Sequence, residues 1–559
     1  PRSATAPDDP VVQLPLLSWV PLRVDLTEDG KISVSFKNTV LITNLQTTFQ
    51  PGPGRLIFAG RTGDARQFQH VDNIRLTTVP AGAILPVPGS AYLRPDGFAF
   101  EILDVGASVL DPNNMQLKYN GRDAAGATVF KNGPTNRIYF SDVNFITPSG
   151  WTNTLEYVLH DTLAIPQTLT GLVSQVVSSY ATVKASDAVP AASVALEKPG
   201  FKVRVHQLPL GRFPGDANLM LNAERHLRDM FINPATLMPY ANFADLTAAV
   251  NGFFTDENYL NWSVNDDYSQ ADRGNFTSAN GYFEEPVPGI PGLVDTVNPP
   301  PVTINTDNFA AEITTVLHLA RGYYRFIVNS DDGFRVTTGP RARDFFAANL
   351  GVYDGGKGSS DVPFDVFVEE DGYYPVRLAW WEGGVDANIE FLVQGFETGA
   401  KTLINDTAVA GAIRAYQETT GASLPTLFSM KPYPGETLIP INFAIQAVVE
   451  DGVSNPLDNS TVKLRVDGAD AAVAFQKAGT KTTVAASGYT LRPNATHTVQ
   501  VIYGASGQTP ATNSWTFTTI PQYAVIHAAD AVPAASVNKS NPGFRLFVNQ
   551  RGGDRGPVD

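Results

Sequence analysis

Short runs of alternating apolar and polar residues recur along the whole chain. Thr461-Val462-Lys463-Leu464-Arg465-Val466 and Thr498-Val499-Gln500-Val501-Ile502-Tyr503 follow a period of two and are rich in β-branched residues, which predicts half-buried strands. Val20 to Phe36 reads as two strands around an Asp29-Gly30 turn. Gly322 to Val336 reads as a strand, an acidic turn and a strand. Helical periodicity is strongest over 216–231, where Asp216 is the expected N-cap and Leu219, Ala223, Leu227 and Met230 mark one face. A second short helix is expected near 406–419, with β-like sequence and long loops between the two.

The chain also repeats itself. Asp187-Ala188-Val189-Pro190-Ala191-Ala192-Ser193-Val194 lies between Tyr180-Ala181 and Pro199-Gly200-Phe201. It returns as Asp530-Ala531-Val532-Pro533-Ala534-Ala535-Ser536-Val537 between Tyr523-Ala524 and Pro542-Gly543-Phe544, at a constant offset of 343 residues. The plainest reading is a shared linker. Weaker parallels run upstream: Phe98-Ala99-Phe100 matches Phe443-Ala444-Ile445, and Leu117-Lys118-Tyr119-Asn120-Gly121 matches Leu464-Arg465-Val466-Asp467-Gly468. Two related domains of about 95 residues therefore each end in the same connector. Their short strands and Asp-Gly turns read as immunoglobulin-like sandwiches. They lack the Cys…Trp…Cys core of antibody domains, so this assignment rests on pattern.

Composition narrows the picture further. A chain of 559 residues implies about three to five domains. Gly (47) and Pro (41) are abundant enough for a turn-rich β protein and too few for collagen. Lys and Arg number 40 against 55 Asp and Glu, a net charge of −15 that disfavours nucleic acid as a partner. The absence of cysteine excludes disulfides, thiolate metal sites and cysteine nucleophiles. No apolar stretch is long enough for a transmembrane helix, so no membrane insertion is expected. The first residues, from Pro1 to Pro7, lack a basic-then-apolar leader, so any export signal is expected to be removed or to lie outside the chain.

One passage is more specific. Gly322-Tyr323-Tyr324, Ser330-Asp331-Asp332-Gly333, Gly372-Tyr373-Tyr374 and Trp380-Trp381-Glu382-Gly383-Gly384 together resemble the protective-antigen-type lectin domain over about residues 300–400. That β-sandwich occurs in the anthrax toxin component, yeast flocculins and many bacterial glycosidases. In its sugar-binding members, two adjacent Asp residues joined by a cis peptide hold Ca²⁺, an Asn and carbonyls from a later loop complete the shell, and the ion meets sugar hydroxyls. By position the resemblance implies Asp331 and Asp332 as the pair, with Asn388 and Asp386 from the later loop. Neighbouring carboxylates suit an ion that takes six to eight hard oxygens. Asp331-Asp332-Gly333 also reads as a plain hairpin turn with Asp capping its own backbone. Trp380 and Trp381 alternate in a strand, so one is expected in the core and the other is a candidate sugar platform.

Trp19 to Leu76 carries a second resemblance. The Asp-Gly hairpin, Phe58-Ala59-Gly60-Arg61-Thr62-Gly63 and His70-Val71-Asp72-Asn73-Ile74-Arg75-Leu76 look like the C-terminal half of a laminin-G or concanavalin-like jelly roll. A whole jelly roll of this type needs about 150–200 residues, and half of one exposes open strand edges. Either the chain is a segment of a longer tandem protein, or the tail strand of one copy completes the head of the next, giving a fibre.

Catalytic signatures are missing. His70, His160, His206, His226, His318, His497 and His527 form no zincin pair, and no nucleophile elbow, phosphate loop or dinucleotide fingerprint occurs. Asp266-Asp267, Asp331-Asp332 and Glu369-Glu370 are carboxylate pairs of the kind a glycoside hydrolase needs, but most such pairs are solvated turns. Six Asn-x-Ser/Thr sequons, at Asn261, Asn275, Asn405, Asn459, Asn494 and Asn538, are near chance for a polar β protein.

The expected fold is all-β, a series of tandem β-sandwiches. Residues 1–86 are the jelly-roll part, 87–182 an immunoglobulin-like domain, and 183–424 the lectin-like domain with an N-terminal helical extension and a few short helices. Residues 425–525 are a second immunoglobulin-like domain, and 526–559 are a connector and the first strand of a further module. The expected role is a non-enzymatic, secreted, cell-surface structural or adhesive protein of bacterial type. It would self-associate as a homopolymer or tandem array, bind glycans and use Ca²⁺. The alternative is the ancillary carbohydrate-binding region of a large secreted polysaccharide-degrading enzyme.

Overall fold

Strands dominate the computed structural model, which describes residues 21–27, 30–36, 39–47, 86–208, 216–233, 236, 238–265, 269–293, 306–417 and 423–521 and the backbone of short strands at Leu546–Phe547 and Pro557–Val558. The expectation of an all-β chain of several sheets is met. Among the described residues one short α-helix is present, and no helix is long and apolar enough to cross a membrane. His70, His527, Asp266, Asp267, most of the jelly-roll resemblance and the second copy of the connector lie outside the described residues. The chain divides into two units, one covering 1–429 with 450–456 and the other 430–449 with 457–559.

The first unit begins with a three-stranded antiparallel sheet of Leu22–Leu26, Lys31–Phe36 and Thr39–Gln46. Leu22, Val24 and Leu26 stand opposite Phe36, Val34 and Ile32, so one face is apolar, and Leu22, Val24 and Leu26 are exposed. Two four-stranded sheets follow. Val87–Arg94, Gly97–Leu103, Thr135–Ser141 and Thr128–Asn132 form one, and Thr168–Val176, Thr152–Asp161, Leu110–Tyr119 and Arg122–Asp123 the other. Strand Thr152–Asp161 shows why they stack: Leu155, Tyr157 and Leu159 point inward at every second position, onto Phe98, Phe100 and Ile138.

The connector does more than link. Ala181–Val183 joins the central sandwich as a parallel edge strand beside Ser360–Val368. Val189 donates its N–H to Tyr373 O at 2.8 Å, and Val189 and Val194 pack on Val316. The neighbouring sandwich is also tied in, because Tyr92 Oη donates to Asp365 at 2.6 Å while Arg325 clamps the same carboxylate at 2.8 and 2.9 Å.

The central sandwich has two main sheets. One runs Ala181–Val183, Ser360–Val368, Gly322–Asp331, Ala387–Gln394 and Asn261–Val264. The other runs Phe254–Asp256, Phe201–Gln207, Phe309–Leu319, Gly372–Glu382, Phe334–Thr338 and Asn349–Tyr353. Between them lie Phe201, Trp262, Phe326, Val366, Tyr374 and Trp380 among many aliphatic side chains.

Both helix expectations need correction. The helix spans only Met220–His226, with Leu219 rather than Asp216 at the N-cap. Asp216 accepts from Asn218 N in a local turn, and Met220 N is satisfied by Asp354 Oδ1 at 2.6 Å, a cap supplied from far along the chain. Asp229, at φ 54, ends the helix before Met230. Ala223, Leu227 and Met230 are buried as the period implies, while Leu219 is exposed. Over 406–417 the chain makes turns and a strand, Arg414–Tyr416, that extends the sheet beside Phe309–Leu319 instead of a helix. Gly411 at φ 80 and Asn405 at φ 70 favour turns there.

Beneath the helix lies a buried ion network. Glu224 accepts from Arg228, from Arg335 at 2.7 Å and from both terminal nitrogens of Arg377 at 2.8 and 2.9 Å. Arg377 Nε also reaches Glu312 at 2.7 Å, and Arg204 and Arg343 pair with Glu312. Burial alone would raise the Glu224 carboxyl, but Arg228, Arg377 and Arg335 outweigh it and hold the group below the usual range.

In the second unit residues 446–449, Lys481–Ser487, Ala469–Ala478, Lys463–Val466, Thr496–Tyr503 and Ala511–Thr518 follow one another across a sheet. The strand expected from Thr461 starts at Lys463, because Asp458 caps a 3₁₀ turn over Asn459–Thr461 through Ser460 N. His497 is structural: one ring nitrogen meets Asp467 at 2.7 Å and the other Arg492 O at 3.0 Å.

Neutralising Glu224 takes away the only carboxylate bonded to Arg335 among the described residues and leaves Arg377 with Glu312 alone. Glu224→Gln is expected to cost the central sandwich about 3–5 kcal/mol, read as a lowered denaturant midpoint by tryptophan fluorescence, since Trp381 packs under the helix beside Ala223 and Leu227.

Candidate metal centre

The acidic turn is not a hairpin. Gly322–Asp331 belongs to one sheet of the central sandwich and Phe334–Thr338 to the other, so Asp331, Asp332 and Gly333 carry the chain across from sheet to sheet. The Asp331–Asp332 peptide is cis. Ser330 Oγ donates to Asp332 O at 2.8 Å, Trp380 Nε1 to Asp331 O at 2.9 Å, and Trp381 N to Gly333 O at 3.1 Å. A Cβ on Gly333 would sit 2.4 Å from the Trp381 ring, so the crossing passes too close for any side chain there. Asp332 does not cap its own turn, because its carboxylate accepts from Lys357 N at 2.7 Å and Gly383 N at 3.0 Å.

Asp331, Asp332 and Glu382 each bring a carboxylate oxygen within 4.8 Å of the other two. Asn388 stands directly opposite Asp331 on the neighbouring strand, on the same face. All four are buried, at 7, 6, 0 and 1 % exposure. Asn388 Nδ2 donates to Asn329 Oδ1 at 3.0 Å, and its Oδ1 has no hydrogen-bond partner. Glu382 Oε1 accepts from Gly384 N at 2.6 Å, while its Oε2 has no partner either. Two buried acceptors of this group, Asn388 Oδ1 and Oε2 of Glu382 itself, have no hydrogen-bond partner, and a hard cation fits the donor set of three carboxylates and one amide oxygen.

The electrostatics follow from crowding. Burial, and then Asp332, push the Asp331 carboxyl up to about 6, partly offset by Arg273 and Lys357. Burial, followed by Asp332 and Asp331, pushes Glu382 well above the usual carboxyl range.

Of the residues expected from sequence, the structure brings Asp331, Asp332 and Asn388 together. Asp386 lies outside the trio and bonds the Arg273 guanidinium. Neither tryptophan is a sugar platform. Trp380 is buried between the sheets and Trp381 under the helix, at 0 and 1 % exposure, because this strand is covered on both faces. Glu382 was missed, although its parity with Trp380 two residues earlier marks it as inward-facing. Nothing local marks Arg273, which approaches from a distant loop.

No family model and no curated protein matches this sequence. Among solved structures the chain is similar to a PA14 sugar-binding domain from an RTX adhesin, at 15 % identity over 40 % of this chain and 99 % of that one, with a TM-score of 0.24. The PA14 domain of the antifreeze protein MpAFP is 13 % identical over 39 and 90 %, with a TM-score of 0.22. The Epithelial Adhesin 6 A domain from Candida glabrata, solved with Galb1-3GlcNAc, is 13 % identical over 42 and 91 %, with a TM-score of 0.25. At such low identity and TM-score these similarities decide neither family nor function.

Asp331 and Glu382 hold protons more tightly folded than unfolded. Their contribution to stability is therefore fully present below the ordinary Asp and Glu range and is lost as pH rises through about 6 and beyond. In EDTA, Asp331→Asn is expected to raise the thermal midpoint at pH 7.5 and to change it little at pH 4. An equal shift at both pH values would refute this assignment.

Proposed function

We propose that this chain is part of a non-enzymatic, extracellular adhesive protein whose central sandwich binds Ca²⁺ and presents it to glycans. The observation that carries the reading is the pair of partnerless buried oxygens, Asn388 Oδ1 and Glu382 Oε2, beside the Asp331 and Asp332 carboxylates. Asp331, Asp332, Glu382 and Asn388 would hold the ion. It would supply positive charge for sugar hydroxyls, while the chain's own residues fix the carboxylates in place. Trp380 and Ser330 lock the crossing, and Lys357 N and Gly383 N orient Asp332. The carboxylates sit together at a sheet crossing rather than on opposite walls of a cleft, which speaks against glycoside hydrolysis.

The finer part of the proposal is assembly into a fibre. The apolar face of Leu22–Leu26 and Lys31–Phe36 supports it, since exposed aliphatic side chains on a three-stranded sheet call for a covering partner.

Two measurements test the reading. With a Kd of about 10⁻⁴ M, typical of extracellular modules, 10 mM Ca²⁺ should stabilise the protein by about 2.7 kcal/mol, seen as a higher thermal midpoint than in EDTA. Asp332→Asn should abolish the rise, and no Ca²⁺ effect on the unaltered chain would overturn the metal centre. A glycan-array signal should require Ca²⁺ and vanish in Asp331→Ala. Head-to-tail polymers in electron micrographs would support the fibre, and a strictly monomeric particle at all concentrations would refute it.

A further inference from the structure

Arg273 enters the centre from a loop clamped at both ends. Its own N–H donates to Glu284 Oε1 at 2.7 Å, and Asn275 N and Phe276 N each donate to Glu390 Oε1 at 2.7 Å. Glu284 and Glu390 are buried. Gly274 between them is at φ 92, and a Cβ there would lie 2.5 Å from Glu390 Oε1, so the loop has little room to shift. The guanidinium bonds Asp386, with Nη1 3.8 Å from Asp331 Oδ2. Its side chain is 38 % exposed, against 11 % for Asp331, so it sits on the solvent side of the carboxylates.

Charge counting gives this placement a meaning. Asp331, Asp332, Glu382 and Asp386 bring four negative charges when ionised. Arg273 and Lys357 bring two positive ones. Lys357 Nζ is occupied by Ser330 O and by Ser360 O at 2.9 Å, so it stays beside the crossing. The carboxylates therefore outnumber the cations beside them, and a bound cation would offset the excess.

The geometry points to Arg273 as the built-in counter-charge that sets the affinity of the metal centre. This role rests on the Ca²⁺ reading above. Arg273 is a positioning and specificity residue and not a ligand. It neutralises Asp386 and part of the Asp331 charge, and it repels any cation seated among the carboxylates. Repulsion scales with the charge of the ion, so removing Arg273 favours a trivalent ion more than a divalent one.

The test uses the full chain, with Ca²⁺ affinity from calorimetry and Tb³⁺ affinity from luminescence sensitised by Trp380, whose indole touches Asp331 O. Arg273→Gln should tighten Ca²⁺ about tenfold and Tb³⁺ about thirtyfold, the exponents standing in the ratio of the ionic charges. Arg273→Lys, which keeps the charge, should stay within about threefold of the unaltered chain for both ions. Asp386→Asn frees Arg273 toward Asp331 and should weaken Ca²⁺. If Arg273→Gln binds both ions as the unaltered chain does, or more weakly, the counter-charge role is overturned while the metal centre stands. If neither the unaltered chain nor Arg273→Gln binds either ion, the metal centre falls and this role falls with it. Circular dichroism of each variant separates these outcomes from misfolding, and a misfolded Arg273→Gln leaves Arg273→Lys and Asp386→Asn to decide.

Discussion

Strand Gly372–Glu382 is buried on both faces, and that constraint organises the central sandwich. Tyr374, Val376, Leu378 and Trp380 face the opposite sheet, while Ala379 and Trp381 face the helix. A polar group on such a strand has no water to turn to, so it must be paired inside the protein. Arg377 does this on the helix side by bridging Glu224 and Glu312. Glu382 meets the same demand on the inner side with one oxygen bonded to Gly384 N and the other left without a partner.

The two charged sites on this strand differ in kind. At Arg377 the ions of opposite sign compensate one another, and the network needs nothing from outside. At Glu382 the like charges of Asp331 and Asp332 converge, and Arg273 and Lys357 offset only part of the Asp331 charge. The first arrangement holds the helix on the sheet. The second stores an electrostatic debt that a bound cation would settle. Both follow from one alternating strand whose odd and even positions meet different neighbours.

Much of this was legible in the residues. The alternation from Thr498 to Tyr503 announced a strand, and the adjacent Asp331 and Asp332 announced concentrated charge. The helix was overestimated because its periodic face continues past the point where Asp229 turns the backbone, and its cap comes from Asp354 rather than a neighbour. The connector looked like a plain linker because its contacts, with Tyr373 and Val316, lie far along the chain.

The sequence by itself determined the class of structure and the place where carboxylates gather, because period-two patterning and adjacent residues are local properties. It could not say that Asp331 and Asp332 join two different sheets, since a hairpin and a crossing have the same local pattern. Nor could it say that Trp380 and Trp381 are both covered, or that Asp386 belongs to Arg273. Those outcomes depend on which surfaces meet across more than a hundred residues of chain, and only the packed tertiary structure brings those surfaces together.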